Sequence, residues 1–188
     1  MPSIEHPFTK RPHRTLLALS LPVLLSMTAE PLTALVDTAF ISSLGVTPLA
    51  ALGVGTAALS SVFWIFNFLG IATQTEVAHG YGGESTESAG RAASLSVLVA
   101  AGAGVLLIAM LYPLLNWLAV LLGAQGAVKD LAVTYMRVRL FGAPAVLITL
   151  AVFGTMRGLQ DMRTPLWIAL GLNSLNLLLD WVLIFGWG

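Results

Sequence analysis

Apolar residues fill most of this chain in long blocks, with no strict alternation that would mark half-buried strands. A helix that crosses a bilayer needs roughly 20 mainly apolar residues. Five segments meet that length. The first runs from about Thr15 to Leu44, with Pro22 and Pro31 inside it, each removing a backbone hydrogen bond and inviting a kink. The second runs from about Pro48 to Thr73, with Pro48 suited to a first helical turn. The third covers about Ala89 to Leu115 and is expected to stop near Pro113. The fourth covers about Val128 to Arg157 and contains Pro144; the fifth begins near Pro165 and runs to Gly188. SSLGVT, EVAHGYGGESTES, NWLAVLLGAQGA and RGLQDMRT are read as the connections. The pattern predicts an all-α, polytopic membrane bundle over residues 15–188, with 1–14 as a cytoplasmic N-terminal segment.

Composition agrees. The 188 residues are 57% hydrophobic and 10% charged, and mean hydropathy is +0.88. A soluble domain carries about a quarter charged residues. Net charge is zero, so nothing draws the chain to nucleic acid, and the absence of cysteine excludes disulfides and thiolate chemistry. A basic start before an apolar run resembles a secretory leader, but Met27 breaks the small-x-small cleavage pattern ahead of Ala29, so the segment is read as an uncleaved first helix.

Basic residues orient the bundle. With alternating helices, Lys10, Arg11, Arg14, Arg91, Arg157 and Arg163 fall on one side and Lys129 on the other, while Arg137 and Arg139 count weakly for the outside. This predicts a cytoplasmic N-terminus and an outer position for Gly188. A chain that stops at the end of a spanning helix reads as a fragment. No repeat of 20 to 50 residues is visible.

Polar groups inside these segments are few. Glu30, Asp37 and Asp180 are acids; Asn67, Asn173 and Asn176 are amides. Each intramembrane acid costs at least ~2.5 kcal/mol on insertion scales, which makes it a functional candidate. Asn173, Asn176 and Asp180 follow three- and four-residue spacing and share one face of the fifth helix. Asp37 and Asp180 each lie eight residues before a glycine at a helix end, Gly45 and Gly188. If both ends mark the outer boundary, both acids sit ~12 Å inside it. Two carboxylates and an amide make an oxygen-rich cage that suits sodium or a shared proton. The plainer alternative is that these groups bond neighbouring helices. Gluing helices or lining a cavity is the favoured reading of Asn67 and Asn173. Glu30 is balanced between lining a water-filled cavity and a local hydrogen bond. GTMRG fits a small-xxx-small pattern and predicts close helix packing. HGYGG lacks the lysine of a phosphate loop and is read as a flexible turn; the three histidines are too scattered for a metal. The five tryptophans lie mostly toward segment ends, as interfacial anchors do.

VDTAFISSLGVTPLAALG, HGYGG with ESAGRAA, GTMRGLQDMRTPL and NSLNLLLDWVLIFG together resemble the multidrug and toxic compound extrusion (MATE) transporters, in particular their DinF-like prokaryotic branch. The resemblance runs from about Leu16 to Gly186. It implies twelve helices in two six-helix lobes, exporting cationic or amphipathic compounds against inward flow of sodium or protons. It assigns the coupling cation to positions that match Asp37, Asn176 and Asp180, and helix bending to the position of Pro22. The sixth helix and the second lobe of that architecture are not in this chain. Alternating access needs both lobes, so the chain alone is not expected to pump. The implied setting is a prokaryotic inner membrane, with the bilayer, a small cationic or amphipathic substrate and a C-terminal lobe as partners. No cofactor is implied beyond the coupling ion, and no enzyme activity. Two alternatives differ in class. An intramembrane aspartyl protease carries Gly-x-Gly-Asp at one acid, whereas Asp180 follows three leucines. A non-transporting assembly module would not require the paired acids.

Overall fold

The computed structural model describes residues 12–83 and 86–186. Their regular secondary structure is helical: α1 Pro12–Ser42, α2 Val46–Ile65, α3 Asn67–Gly82, α4 Thr86–Leu111, a 3₁₀ turn Tyr112–Leu114, α5 Leu115–Leu121, α6 Gly126–Leu140, α7 Ala143–Gly158 and α8 Arg163–Phe185. Lys10, Arg11 and His6 at one end, and Trp187 and Gly188 at the other, lie outside the described residues.

The five expected segments are present, but their ends differ from expectation. The second segment continues as helix to Gly82, interrupted only at Phe66. Most of EVAHGYGGESTES is therefore helical, and HGYGG closes α3 instead of forming a loose turn. The third segment does not stop at Pro113. Proline has no N–H to lose in a first turn, and here it sits at the start of the 3₁₀ turn, beyond which helix resumes to Leu121. The fourth segment breaks at Phe141–Gly142, and its halves meet at 50°. Pro144 explains the break: its ring would meet the carbonyl of Leu140 in a continuous helix, so α6 ends there and Pro144 occupies the first turn of α7. Three segments are long and apolar enough to cross a membrane singly, Val46–Gly82, Thr86–Leu121 and Arg163–Ile184, and the bent α6–α7 pair makes a fourth. α1, at 31 residues, is ~46 Å long.

Residues 38–159 form one compact unit. Its core is built largely from small side chains. Ala58, Leu59, Leu115, Ala119, Val133, Met136, Leu140 and Ala143 make one buried cluster; Leu69, Ala100, Leu147 and Ala151 make another. Beside these buried residues, many large apolar side chains point outward, as Leu98 does at 70% exposure and Val138 at 72%. That inversion fits a lipid surround, where helix association depends on close backbone approach. α3 and α7 approach each other closely at the backbone. A Cβ added at Gly154 would lie 2.4 Å from the Gly70 carbonyl oxygen, and one at Gly158 would lie 2.8 Å from that of Gln74. The GTMRG expectation of close packing is met at both of its glycines. Thr73, buried in this seam, returns its hydroxyl to the Leu69 carbonyl at 2.7 Å, so no polar group is stranded.

Residues 12–37 and 160–186, carrying most of α1 and all of α8, belong to a second unit. α1 is helical through both Pro22 and Pro31. α8 starts at a built cap. Asp161 Oδ1 accepts the backbone N–H groups of Arg163 and Thr164, each at 3.1 Å. Its Oδ2 accepts the Thr164 hydroxyl at 2.5 Å. These bonds satisfy donors that a helix start leaves orphaned. Gly186, at φ +76°, ends the helix and donates its N–H to Val182 at 3.0 Å.

Candidate cation-coupling site

α1 and α8 place the candidate acids. Asp37 is half-buried near the C-terminal end of α1, and its Oδ1 is withdrawn from solvent. Thr33, one turn earlier on the same face, is buried at 8% exposure. On α8, Asp180 and Asn173 are half-buried and Asn176 is exposed. Helical spacing aligns these three along one stripe. Their neighbours Leu175, Leu178 and Leu179 are all outward-facing apolar residues. Asp37, Asn173, Asn176 and Asp180 thus fall in the same compact unit, as does the half-buried Pro22.

Asn67 is placed differently. It opens α3 in the other unit, beside the Phe66 interruption, with its side chain exposed. Glu30 lies on α1, but its side chain is outside the described residues. No group of three or more His, Asp or Glu side chains suited to a metal occurs among the described residues. The candidate set is two carboxylates and one amide, whose hard oxygens favour a proton or a small hard cation over a soft transition metal.

Beyond the membrane segments, the Asp161 carboxyl is held below its ordinary value. The Thr164 hydroxyl and backbone N–H stabilise its ionised form most; desolvation opposes them, and the Arg163 N–H and charge add lesser stabilisation.

One polar cluster was not singled out by sequence reasoning. The Tyr135 hydroxyl on α6 lies 3.2 Å from the Thr56 hydroxyl on α2, and it accepts a short hydrogen bond from Arg139. The Arg139 guanidinium also sits 5.7 Å from the Tyr135 ring centre. Gly55 makes the approach possible, because a Cβ there would lie 2.4 Å from Tyr135 Cδ1. The four-residue spacing of Tyr135 and Arg139 was a readable signal; the link to Thr56 was not. A second pair places the Arg137 guanidinium 5.8 Å from the Tyr112 ring centre.

Comparison with known proteins follows the same lines. The MatE family profile matches residues 22–182. Protein DETOXIFICATION 44, chloroplastic, of Arabidopsis thaliana is 31% identical over 191 residues, covering 90% of this chain and 35% of that protein. DNA damage-inducible protein F of Escherichia coli K12 is 33% identical over 170 residues, covering 89% and 37%. Among solved structures, a MOP superfamily transporter from Pyrococcus furiosus superposes with a TM-score of 0.84 at 27% identity, covering 91% of this chain and 38% of that one. The chain therefore spans little more than a third of the length of these relatives. With the helical architecture and the matched profile in agreement, the chain belongs to the MatE family of multidrug and toxic compound extrusion transporters.

Proposed function

We propose that this chain supplies most of the N-terminal lobe of a cation-coupled exporter, with Asp37, Asn176 and Asp180 forming the coupling site. The observation that carries this reading is the retention of two half-buried carboxylates on α1 and α8, within one compact unit. Carboxylates are too costly in that setting to serve only as spacing elements. A carboxylate pair alternates between holding a proton or sodium ion and releasing it, and the released state differs in charge. That difference is what a gradient acts on. Asn176 contributes a neutral oxygen. Asn173 extends the polar stripe of α8, and Pro22 gives α1 a point at which to bend.

The exported compound is cationic or amphipathic, and its passage requires a C-terminal lobe to close against this one. The arginine distribution supports a cytoplasmic N-terminus, and the resemblance to the DinF-like branch supports a prokaryotic inner membrane. The test is gradient-driven efflux by a full-length transporter carrying these residues as its first lobe, with membrane expression measured in parallel. Asp37→Asn keeps size and one ligand oxygen but removes the charge. It should abolish coupled export, as should Asp180→Asn, while Asn176→Ala is milder. Near-normal export by Asp37→Asn would end the coupling assignment.

A further inference from the structure

We infer that the end of the bundle formed by Tyr112, Arg137 and Phe141 holds the phosphate of an anionic phospholipid. The argument starts from depth. α4 carries Arg91 near one end and meets Tyr112 at the other, 21 residues on. At 1.5 Å per residue that is ~32 Å, close to the ~30 Å hydrocarbon core of a bilayer. Arg91 is paired with Glu87 at 3.1 Å at its own boundary. Tyr112 therefore marks the opposite hydrocarbon boundary.

Arg137 lies at that level, its guanidinium 5.8 Å from the Tyr112 ring centre. Phe141, which follows the last residue of α6, packs on Tyr112 with ring centres 6.1 Å apart. The aromatic pair holds the cation at the boundary and leaves its outer edge open. Arg137 is exposed, as Arg91 is, but unlike Arg91 it has no carboxylate in ion-pair range among the described residues. The surface on the hydrocarbon side is apolar: Leu106 and Met110, between Arg91 and Tyr112 on α4, are outward-facing, as is Val138 beside Arg137. A guanidinium with no carboxylate partner among the described residues, set among apolar and aromatic side chains at a hydrocarbon boundary, fits an anionic lipid. A lipid places phosphate oxygens against the guanidinium fork and acyl chains along the apolar rim. A free anion would use the first feature and leave the second uncovered.

The inference needs the chain to span a bilayer but is independent of the coupling site and of which leaflet Tyr112 faces. The test is native mass spectrometry of the purified 188-residue chain in detergent micelles. Phosphatidylglycerol, phosphatidylcholine or inorganic phosphate is titrated in. The expected result is preferential retention of one phosphatidylglycerol, weakened about fivefold in Arg137→Gln, less in Arg137→Lys, and unchanged in Arg91→Gln. Inorganic phosphate should not displace it. Unfolding midpoints without lipid check that the variants remain folded, and Arg137→Lys carries the comparison if Arg137→Gln does not. Equal retention by the wild type and the Arg137 variants would overturn the assignment. Displacement by inorganic phosphate would overturn it too, leaving a simple anion site.

Discussion

Close backbone contact between α3 and α7 sets a sharp sign rule for glycine substitutions. At Gly154 an added Cβ would lie 2.4 Å from the Gly70 carbonyl oxygen and 3.1 Å from Thr73 Cβ. A carbon rests against a carbonyl oxygen at ~3.3 Å or more, so Gly154→Ala must part the helices by about 1 Å at the crossing. The obstacle is backbone and cannot rotate aside. A gap of that size forfeits a quarter to a half of each local dispersion contact, and overpacking of this kind costs about 1–3 kcal/mol. Alanine returns ~1 kcal/mol of helix propensity, so the net effect is a loss of up to about 2 kcal/mol. Gly102, in the middle of α4, is the internal control: nothing lies within 4 Å of its Cβ position. Gly102→Ala should therefore be neutral or stabilising by up to ~1 kcal/mol. Denaturant titration in mixed micelles, followed by circular dichroism, measures both. Equal stability of the two variants would refute the tight α3–α7 seam.

Three further outcomes are expected. Asp161→Ala removes the cap of α8 and should cost about 1 kcal/mol at neutral pH; because the folded-state value of Asp161 is depressed, its contribution is present above the unfolded value near 3.8 and is lost as pH falls through the folded one, so the variant should show a flatter acid limb in a pH titration of stability. Gln160 holds φ +62° at the end of α7, a conformation costing a non-glycine residue about 1–2 kcal/mol, and Gln160→Gly should raise the unfolding midpoint. In this cysteine-free chain, Gln125→Cys should react with an impermeant thiol reagent from outside intact cells and Gly83→Cys should not; the opposite pattern would reverse the topology drawn from the arginines.

Which parts of the fold were legible follows from what lipid demands of a sequence. Hydrocarbon penalises every unpaired polar group, so long apolar runs announce helices, and all five segments were visible. The same penalty made Asp37 and Asp180 conspicuous. Helix ends were harder. NWLAVLLGAQGA and EVAHGYGGESTES were read as connections because they contain glycine or polar residues, yet helix continues through much of both. A helix has no reason to stop where the hydrocarbon does. Its own hydrogen bonds persist into the headgroup region, and only a conflict such as Pro144 against the Leu140 carbonyl breaks them. Proline alone was an ambiguous signal. Pro22 and Pro31 sit inside helix, Pro113 is absorbed by a 3₁₀ turn, and Pro144 starts a new helix.

The glycines show the same division between local and tertiary information. Gly154 and Gly158 were read correctly because a four-residue spacing of small residues is a local pattern with a tertiary meaning. Gly55 carries no such pattern, and its role appears only with Tyr135 lying against it from 80 residues away. The polar cluster it permits, Thr56 with Tyr135 and Arg139, was invisible for that reason, although each member is polar and lies in an apolar stretch. Arg139 had been counted only as a charge for topology. In the fold its guanidinium is spent locally, on the Tyr135 hydroxyl and ring. A count of charges by side registers the cation but not the local pair that holds it, which needs the fold to be seen.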